Sequence, residues 1–283
     1  MGLRINTNVP ALIGQRNLRV NRSALDRSLE RLASGSRINH AGDDAAGLAI
    51  SESLRAQLRG LGQAERNAQD GISLIQVAEG GLTEISNILV RMRELGVQAA
   101  SDTIGENERK FLDIEFQQLL EEIDRIAKST EYNGVPLLAG TSGTFEVQVG
   151  TRNNPMIDRI KLFDSTSADV NVVSLGINLS NVADKASAQN VLGAVDTALG
   201  QVISIRAEFG AMQNRMQSVI NNLMISRENM ASANSRIRDT DIAEESTELT
   251  KNQILMQSGV AVLGQANSTI KSALNLLGGA GLG

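Results

Sequence analysis

The sequence predicts a mainly α-helical protein. It reads as an elongated antiparallel helical rod, a coiled-coil-like bundle, with a small β-hairpin and with its N- and C-terminal helices paired at one end. Three observations carry this. Leu249, Met256, Leu263, Ile270 and Leu277 recur every seven residues near the C-terminus, with Val260 and Leu274 at the alternate position. Leu18, Leu25 and Leu32 keep the same step near the N-terminus, and one helix cannot bury such a stripe alone. Five Phe, one Tyr and no Trp leave burial to narrow seams of Leu, Ile, Val, Ala and Met. Finally, Pro10, Pro136 and Pro155 are the whole proline content of 283 residues, so long stretches are free of helix breakers.

The elements follow in order. Asp43 and Asp44 are good N-cap residues ahead of Ala45, and Leu54, Leu61, Ala68, Ile75, Leu82 and Leu89 then hold a strict heptad to about Ala100. That helix would be roughly 80 Å long at its standard rise. Its glycines, Gly60, Gly62, Gly71, Gly80 and Gly81, weaken it locally and allow close approach of neighbours. After a turn at Ser101–Gly105, Leu112, Phe116, Leu119, Ile123 and Ile126 mark a shorter helix, with Glu121, Glu122, Asp124 and Arg125 on its solvated face.

Residues 132–185 change character. Asn133–Gly134, Gly140, Gly143 and Asn153–Pro155 are turn signals. Phe145, Val147 and Val149 alternate with polar residues and, with Ile160 and Leu162, predict a β-hairpin. Asp164–Asn171 reads as an exposed polar loop. A second long helix starts near Ser187 and keeps a three–four alternation from Val195 to Ile237, and the closing seam begins beyond Asp239. Two domains follow: 1–44 with 238–283 as a terminal helical pair, and 45–237 as a rod with the hairpin region at about 140–180.

Composition excludes several functions. The net charge of −5 argues against a nucleic-acid partner. The charge is uneven: residues 1–40 hold seven Arg against Asp26 and Glu30, whereas 239–283 hold five acids against Lys251 and Lys271. Opposite signs favour association of the two ends. No apolar run approaches membrane-spanning length, and the N-terminus lacks the apolar core of a cleaved secretory signal. With one His and no Cys, a nucleophile–base–orienter set would have to be built from carboxylates or Lys, and a transition-metal site would need carboxylates too. The string His40–Asp44 is better explained as a turn and helix cap than as a metal or acid–base site. No catalytic residue, metal ligand or cofactor is expected.

Several strings go beyond pattern. Ile5–Asn8 (INTN), Gln15–Leu18 (QRNL), Arg31–Ser51 (RLASGSRINHAGDDAAGLAIS), Tyr132–Leu138 (YNGVPLL), Ser235–Glu245 (SRIRDTDIAEE) and Gly264–Asn267 (GQAN) resemble bacterial flagellin over roughly 1–140 and 185–277. The resemblance implies a short form made of the terminal and rod domains alone. It implies a structural subunit that self-polymerises into the extracellular flagellar filament for motility, its terminal helical pair lining the inner tube. It further implies export, unfolded, through the flagellar type III apparatus without a cleaved signal, and ends that fold on assembly. The assembly seam is then Leu18, Leu25, Leu32, Leu249, Met256, Leu263, Ile270 and Leu277. Implied partners are other subunits, an export chaperone on the C-terminal segment 249–277, and the filament cap and junction proteins. Leu89–Gln98 (LVRMRELGVQ) resembles the segment read by the host Toll-like receptor for flagellin, which carries Arg91, Leu95 and Glu115 over as contacts. The same surface would also pack between subunits. O-linked sugars on Ser165, Thr166 or Ser167 are compatible with such a family. A hook–filament junction protein shares the terminal architecture and is the alternative, ahead of a membrane-active amphipathic helix protein, whose faces would need to be wider.

Overall fold

The computed structural model describes residues 8–278, apart from the side chains of residues 270 and 273–278. In chain order the elements are α1 (Val9–Ser34), α2 (Ala45–Ala99), α3 (Glu106–Ser129), β1 (Glu131–Tyr132), β2 (Val135–Pro136), β3 (Thr144–Gln148), β4 (Arg159–Asp164), α4 (Lys185–Arg238) and α5 (Ile242–Gly278). The helix-dominated class expected from the seams is what the chain adopts. Two compact units divide it: Met1–Ala56 with Met230–Gly283, and Gln57–Asn229.

In the first unit, side chains set the helix ends. The Asn8 carboxamide oxygen accepts the Ala11 amide at 3.1 Å, and Pro10 sits in the first turn of α1. Gly35 closes that helix in the left-handed region at φ 67, where a glycine carries no Cβ penalty. Asp44 caps α2 by accepting the Gly47 amide at 2.8 Å, and Asp241 caps α5 by accepting the Ala243 and Glu244 amides. These are orphan amides of first helical turns, and a carboxylate is the right partner for them.

The second unit has its core between α2, α3, α4 and two hairpins. From α2, Ala68, Ile75, Leu82, Ile85, Leu89 and Met92 are fully buried, as the heptad requires. Along α4, Val195, Ala198, Val202, Ile205 and Phe209 supply the facing stripe. On α3 the buried set is Phe116, Leu120, Ile123 and Ala127. The stripe read from sequence is therefore slightly rotated: Leu112, Leu119 and Ile126 pack partly buried at the edge of the core.

The expected hairpin is β3–β4, antiparallel, with Val147 opposite Ile160 and a register shift between Phe145 and Glu146. The bulge lets Phe163 stack between Phe145 and Phe209, with ring centroids 4.9 Å apart on both sides. A second, two-residue hairpin, β1–β2, turns on Asn133 and Gly134, both at positive φ, the requirement of a type I′ turn.

The stretch after β4 is not an exposed loop. Ser165, Ala168 and Val170 are buried. Ser165 donates its amide to the Gly143 carbonyl and Val170 to that of Leu138. The polar side of α3 holds the remainder: Asp124 accepts the Val172 amide, Asp113 the Val182 amide, and Gln117 donates to the Ser180 carbonyl. Side chains turn inward at irregular steps of two and three, at Ser165, Ala168, Val170, Val172, Leu175 and Ile177, and the polar composition satisfies backbone groups that burial would otherwise orphan.

The glycines of α2 separate into two kinds. A Cβ at Gly71 would lie 3.1 Å from Val147, and one at Gly81 would lie 2.6 Å from the Thr130 hydroxyl and 3.0 Å from Leu138. At Gly60 it would meet Thr151 at 2.7 Å. These three let the hairpin segments approach the helix closely. Gly80, beside Gly81, has nothing within 4 Å. Gly80→Ala should therefore raise the stability of the unit by about 0.5–1 kcal/mol through helix propensity, whereas Gly81→Val should lower it by about 1–3 kcal/mol through overpacking. Thermal unfolding followed by circular dichroism distinguishes the two, and equal effects would refute the packing assignment.

Candidate assembly interface

The terminal pair is built from α1 and α5. Asn8 donates to the Ala266 carbonyl at 3.3 Å, Arg31 approaches Glu245 at 3.6 Å, and Ser36 forms an antiparallel bridge with Asp239. Sequence number rises on one helix as it falls on the other, so they run antiparallel. Between those points, Leu263 lies 3.2 Å from where a Cβ on Gly14 would be, and Leu18 lies 2.7 Å from where one on Gly259 would be. The contacts are reciprocal: each helix sets a leucine on the other's glycine.

That register, carried along both helices, places Leu25 opposite Asn252, Leu32 opposite Glu245, Leu249 opposite Ser28 and Met256 opposite Asn21. A large aliphatic side chain on one helix consistently meets a small or polar one on the other. Leu18, Leu25, Leu32, Leu249, Met256 and Leu263 are half-buried, and Ser28 and Asn252 are buried between the helices. The side chains of Ile270, Leu274 and Leu277 lie outside the described residues, as does Arg4. Val260 does not fill the alternate position of the seam; it is exposed. The seam steps three residues beyond Leu249, Met256 and Leu263, to Asn252, Gly259 and Ala266, and a step of four carries Val260 off its edge.

Charge follows the same geometry. Arg27, Arg31 and Arg37 face Glu244, Glu245 and Glu248 across a groove of about 440 Å³. Arg37 donates from its amide to the Arg238 carbonyl at 2.6 Å and from its guanidinium to the Ile237 carbonyl at 2.8 Å. Arg238 also bonds Glu52 and holds that carboxyl below its usual range. Among the described residues Arg16 and Arg19 form no ion pair with Asp239 or Asp241. His40 meets Glu30 at 2.7 Å, and Asp43 accepts the Asn39 and His40 amides, which lower its pKa. This is a cap and turn. The described residues contain no group of three potential metal ligands, and none of their helices is long and apolar enough to cross a membrane.

The second unit brings together two of the three carried-over contact residues. Arg91 binds Glu115 through Nε at 3.0 Å and Nη2 at 2.8 Å, and Glu94 at 3.1 Å. Leu95 is fully buried; it points into the core and offers no surface to a partner in this conformation. Ser165 is likewise buried, with its hydroxyl accepting the Ser142 amide, so only Thr166 and Ser167 are exposed hydroxyls in that stretch.

Two features escaped the sequence reading. Gly14 and Gly259 each stand four residues before a seam leucine, at Leu18 and Leu263, which is a seam position; their spacing was the available signal. The second feature is the outer surface. Leu12, Val20, Ile254, Leu255 and Val262 are exposed on the faces of α1 and α5 that the pair does not cover, Leu12 at 56% and Val262 at 62%.

The pH dependence has a definite sign. Glu52 and Asp43 have folded-state pKa values below their ordinary 4.5 and 3.8. Their contribution is fully present above those values and is lost as pH falls through the folded ones. Stability should be flat above about pH 4.5 and decline below it, and Glu52→Gln should remove part of that decline. Acid titrations of both chains by circular dichroism check this; parallel curves would refute it.

Comparison with known proteins converges on one family. Residues 5–143 match the bacterial flagellin N-terminal helical region and residues 192–277 the bacterial flagellin C-terminal helical region. The chain is 46% identical to a flagellin of Halalkalibacterium halodurans over 273 residues, 96% of this chain and 99% of that one. It is 40% identical to the flagellar filament 33 kDa core protein of Treponema phagedenis, over 96% and 99% of the two chains. The crystal structure of Bacillus cereus flagellin superposes with a TM-score of 0.50 at 36% identity, covering 60% of this chain and 94% of that one. Residues 144–191, between the two matched regions, hold only the β3–β4 hairpin, the loop after it and the start of α4. These relatives favour a filament subunit over a junction protein. The chain belongs to the bacterial flagellin family: it is a short flagellin without a large outer domain, a structural subunit of the extracellular flagellar filament and not an enzyme.

Proposed function

We propose that the α1–α5 seam is an assembly switch, ordered fully only when neighbouring subunits cover its outer faces. The observation that carries this is the row of exposed aliphatic residues on α1 and α5 beside a seam in which each layer sets one large side chain against a small or polar one. A half-buried leucine recovers only part of the roughly 1.5–3 kcal/mol that full burial brings. Neighbouring copies would bury Leu12, Val20, Ile254 and Val262. The roles of Leu18, Leu25, Leu32, Leu249, Met256, Leu263, Ile270 and Leu277 follow from this reading.

The same exposed side chains on α5 suit an export chaperone that shields residues 249–277 before assembly, in keeping with secretion through the flagellar type III apparatus without a cleaved signal. Contacts with cap and junction proteins would use the same end faces. The Arg91–Glu115 pair, with Phe111 and Ile114 exposed on α3, is the surface we assign to a host Toll-like receptor, with Leu95 supporting it from beneath.

Hydrogen exchange tests the switch. In monodisperse monomer, residues 8–40 and 245–277 should exchange rapidly and become protected after seeded polymerisation; protection already in the monomer would sink the idea. A substitution tests the seam separately. Gly259→Leu forces a side chain into Leu18 and should cost the pair about 1–3 kcal/mol, blocking filament growth while the helicity of residues 57–229 is retained. Gly264→Ala is the control, since nothing lies within 4 Å of that position, and it should leave growth intact.

A further inference from the structure

The loop joining β3 to β4 holds two apolar side chains in water. Met156 is 94% and Ile157 74% exposed. The loop is nonetheless tightly built. Asp158, itself buried, accepts the Asn154 amide at 3.0 Å through its carboxylate, and its carbonyl accepts the amides of Val149 and Gly150. Asn154 accepts the Met156 amide through its side chain and those of Ile157 and Asp158 through its carbonyl. Gln148 donates to the carbonyls of Gly150 and Arg152. A bonded frame of this kind presents the Met156–Ile157 tip with little ordering cost left for a binding event.

The same unit carries a matching recess. A groove of about 430 Å³ lies between β4 and α4, with Phe163, Phe209 and Met212 in its floor and Asp164, Glu208 and Arg215 on its rim. Its size is ample for two aliphatic side chains. Charge also matches: Arg152 and Arg159 flank the tip, whereas the rim carries two acids and one Arg. Glu208 has no ion pair among the described residues.

We propose that the Met156–Ile157 tip of one subunit docks in the Phe163–Phe209–Met212 groove of a neighbouring subunit in the filament. A protrusion that fits a pocket elsewhere on the same molecule makes a heterologous contact, and such contacts propagate into an open helical polymer instead of closing. The flanking arginines and acids orient the approach. The assignment rests on the filament reading above and adds a specific contact to it.

The chain has no cysteine, so introduced thiols report without background. Met156→Cys and Ala211→Cys chains, mixed, grown on wild-type seeds and mildly oxidised, should give a covalent heterodimer in filaments and none in monomer. Filaments that grow without the heterodimer overturn the proposal. The double variant Met156→Ser, Ile157→Ser should raise the critical concentration for seeded growth by about a hundredfold, as expected for two buried aliphatics lost from one contact, with monomer circular dichroism unchanged. An unchanged critical concentration overturns it too. Failure of the wild-type chain to polymerise would instead bring down the assembly reading itself.

Discussion

One contact recurs through both units of this flagellin: an aliphatic side chain resting on a glycine of the facing segment. Leu263 rests on Gly14, Leu18 approaches Gly259, Leu192 approaches Gly96, Val147 packs on Gly71 and Leu138 on Gly81. A chain with six aromatic residues cannot fill wide gaps between helices, so backbones must come close, and only glycine lets them. The three rings that do stack, Phe145, Phe163 and Phe209, sit where the hairpin meets α4. There a sheet must be matched to a helix and bulk is needed.

The consequences differ between the units. In residues 57–229 the glycine contacts supplement a continuous buried core from Ala68 to Ala99 and along α4, so close approach refines a structure already held by burial. In the terminal pair the two glycine contacts share the packing with half-buried Leu25, Leu32, Leu249 and Met256, and few side chains there are fully buried. Ordering each backbone residue costs about 1–2 kcal/mol at every position, whereas seam burial is gained at two positions in seven. Ion pairing adds little, since Arg31 and Glu245 meet at the long end of the range and beside solvent. The pair consequently holds few buried apolar side chains, whereas residues 57–229 hold most of the core.

Much of this was legible from the residues. The N-cap at Asp44, the heptad from Leu61 to Leu89, the hairpin of Phe145, Val147, Ile160 and Leu162, and the antiparallel ends all follow from local chemistry and period. What failed shares a cause: a period says which residues share a face, not how that face is oriented or what it meets. Leu120 joins the core while Leu119 packs partly buried at its edge, and α3 also holds the segment after β4 through Gln117, Asp113 and Asp124. Val260 turned out to solvent because the partner helix selected the three-residue step through Gly259. Ser165 went inward because its neighbours Ala168 and Val170 do, and composition alone made that stretch look exposed. The glycines were visible in the sequence, but which of Gly80 and Gly81 mattered depended on Thr130 and Leu138 arriving from elsewhere in the chain.

A filament subunit must be soluble alone and adhesive in company, and the exposed residues reconcile these demands by size and spacing. On α1, Leu12 and Val20 stand among Gln15, Arg16 and Arg19; on α5, Ile254 and Val262 are separated by Gln257 and Ser258. None is aromatic, so a single encounter between two such faces is weak. In a polymer each subunit meets several neighbours at once, and contacts made after the first are effectively intramolecular, multiplying small gains without any one being strong. A wider or more aromatic face would aggregate before it reached its place in the polymer, and a fully polar one would not assemble. On the proposed reading, narrow aliphatic seams suit this function because they leave burial for neighbouring subunits to complete.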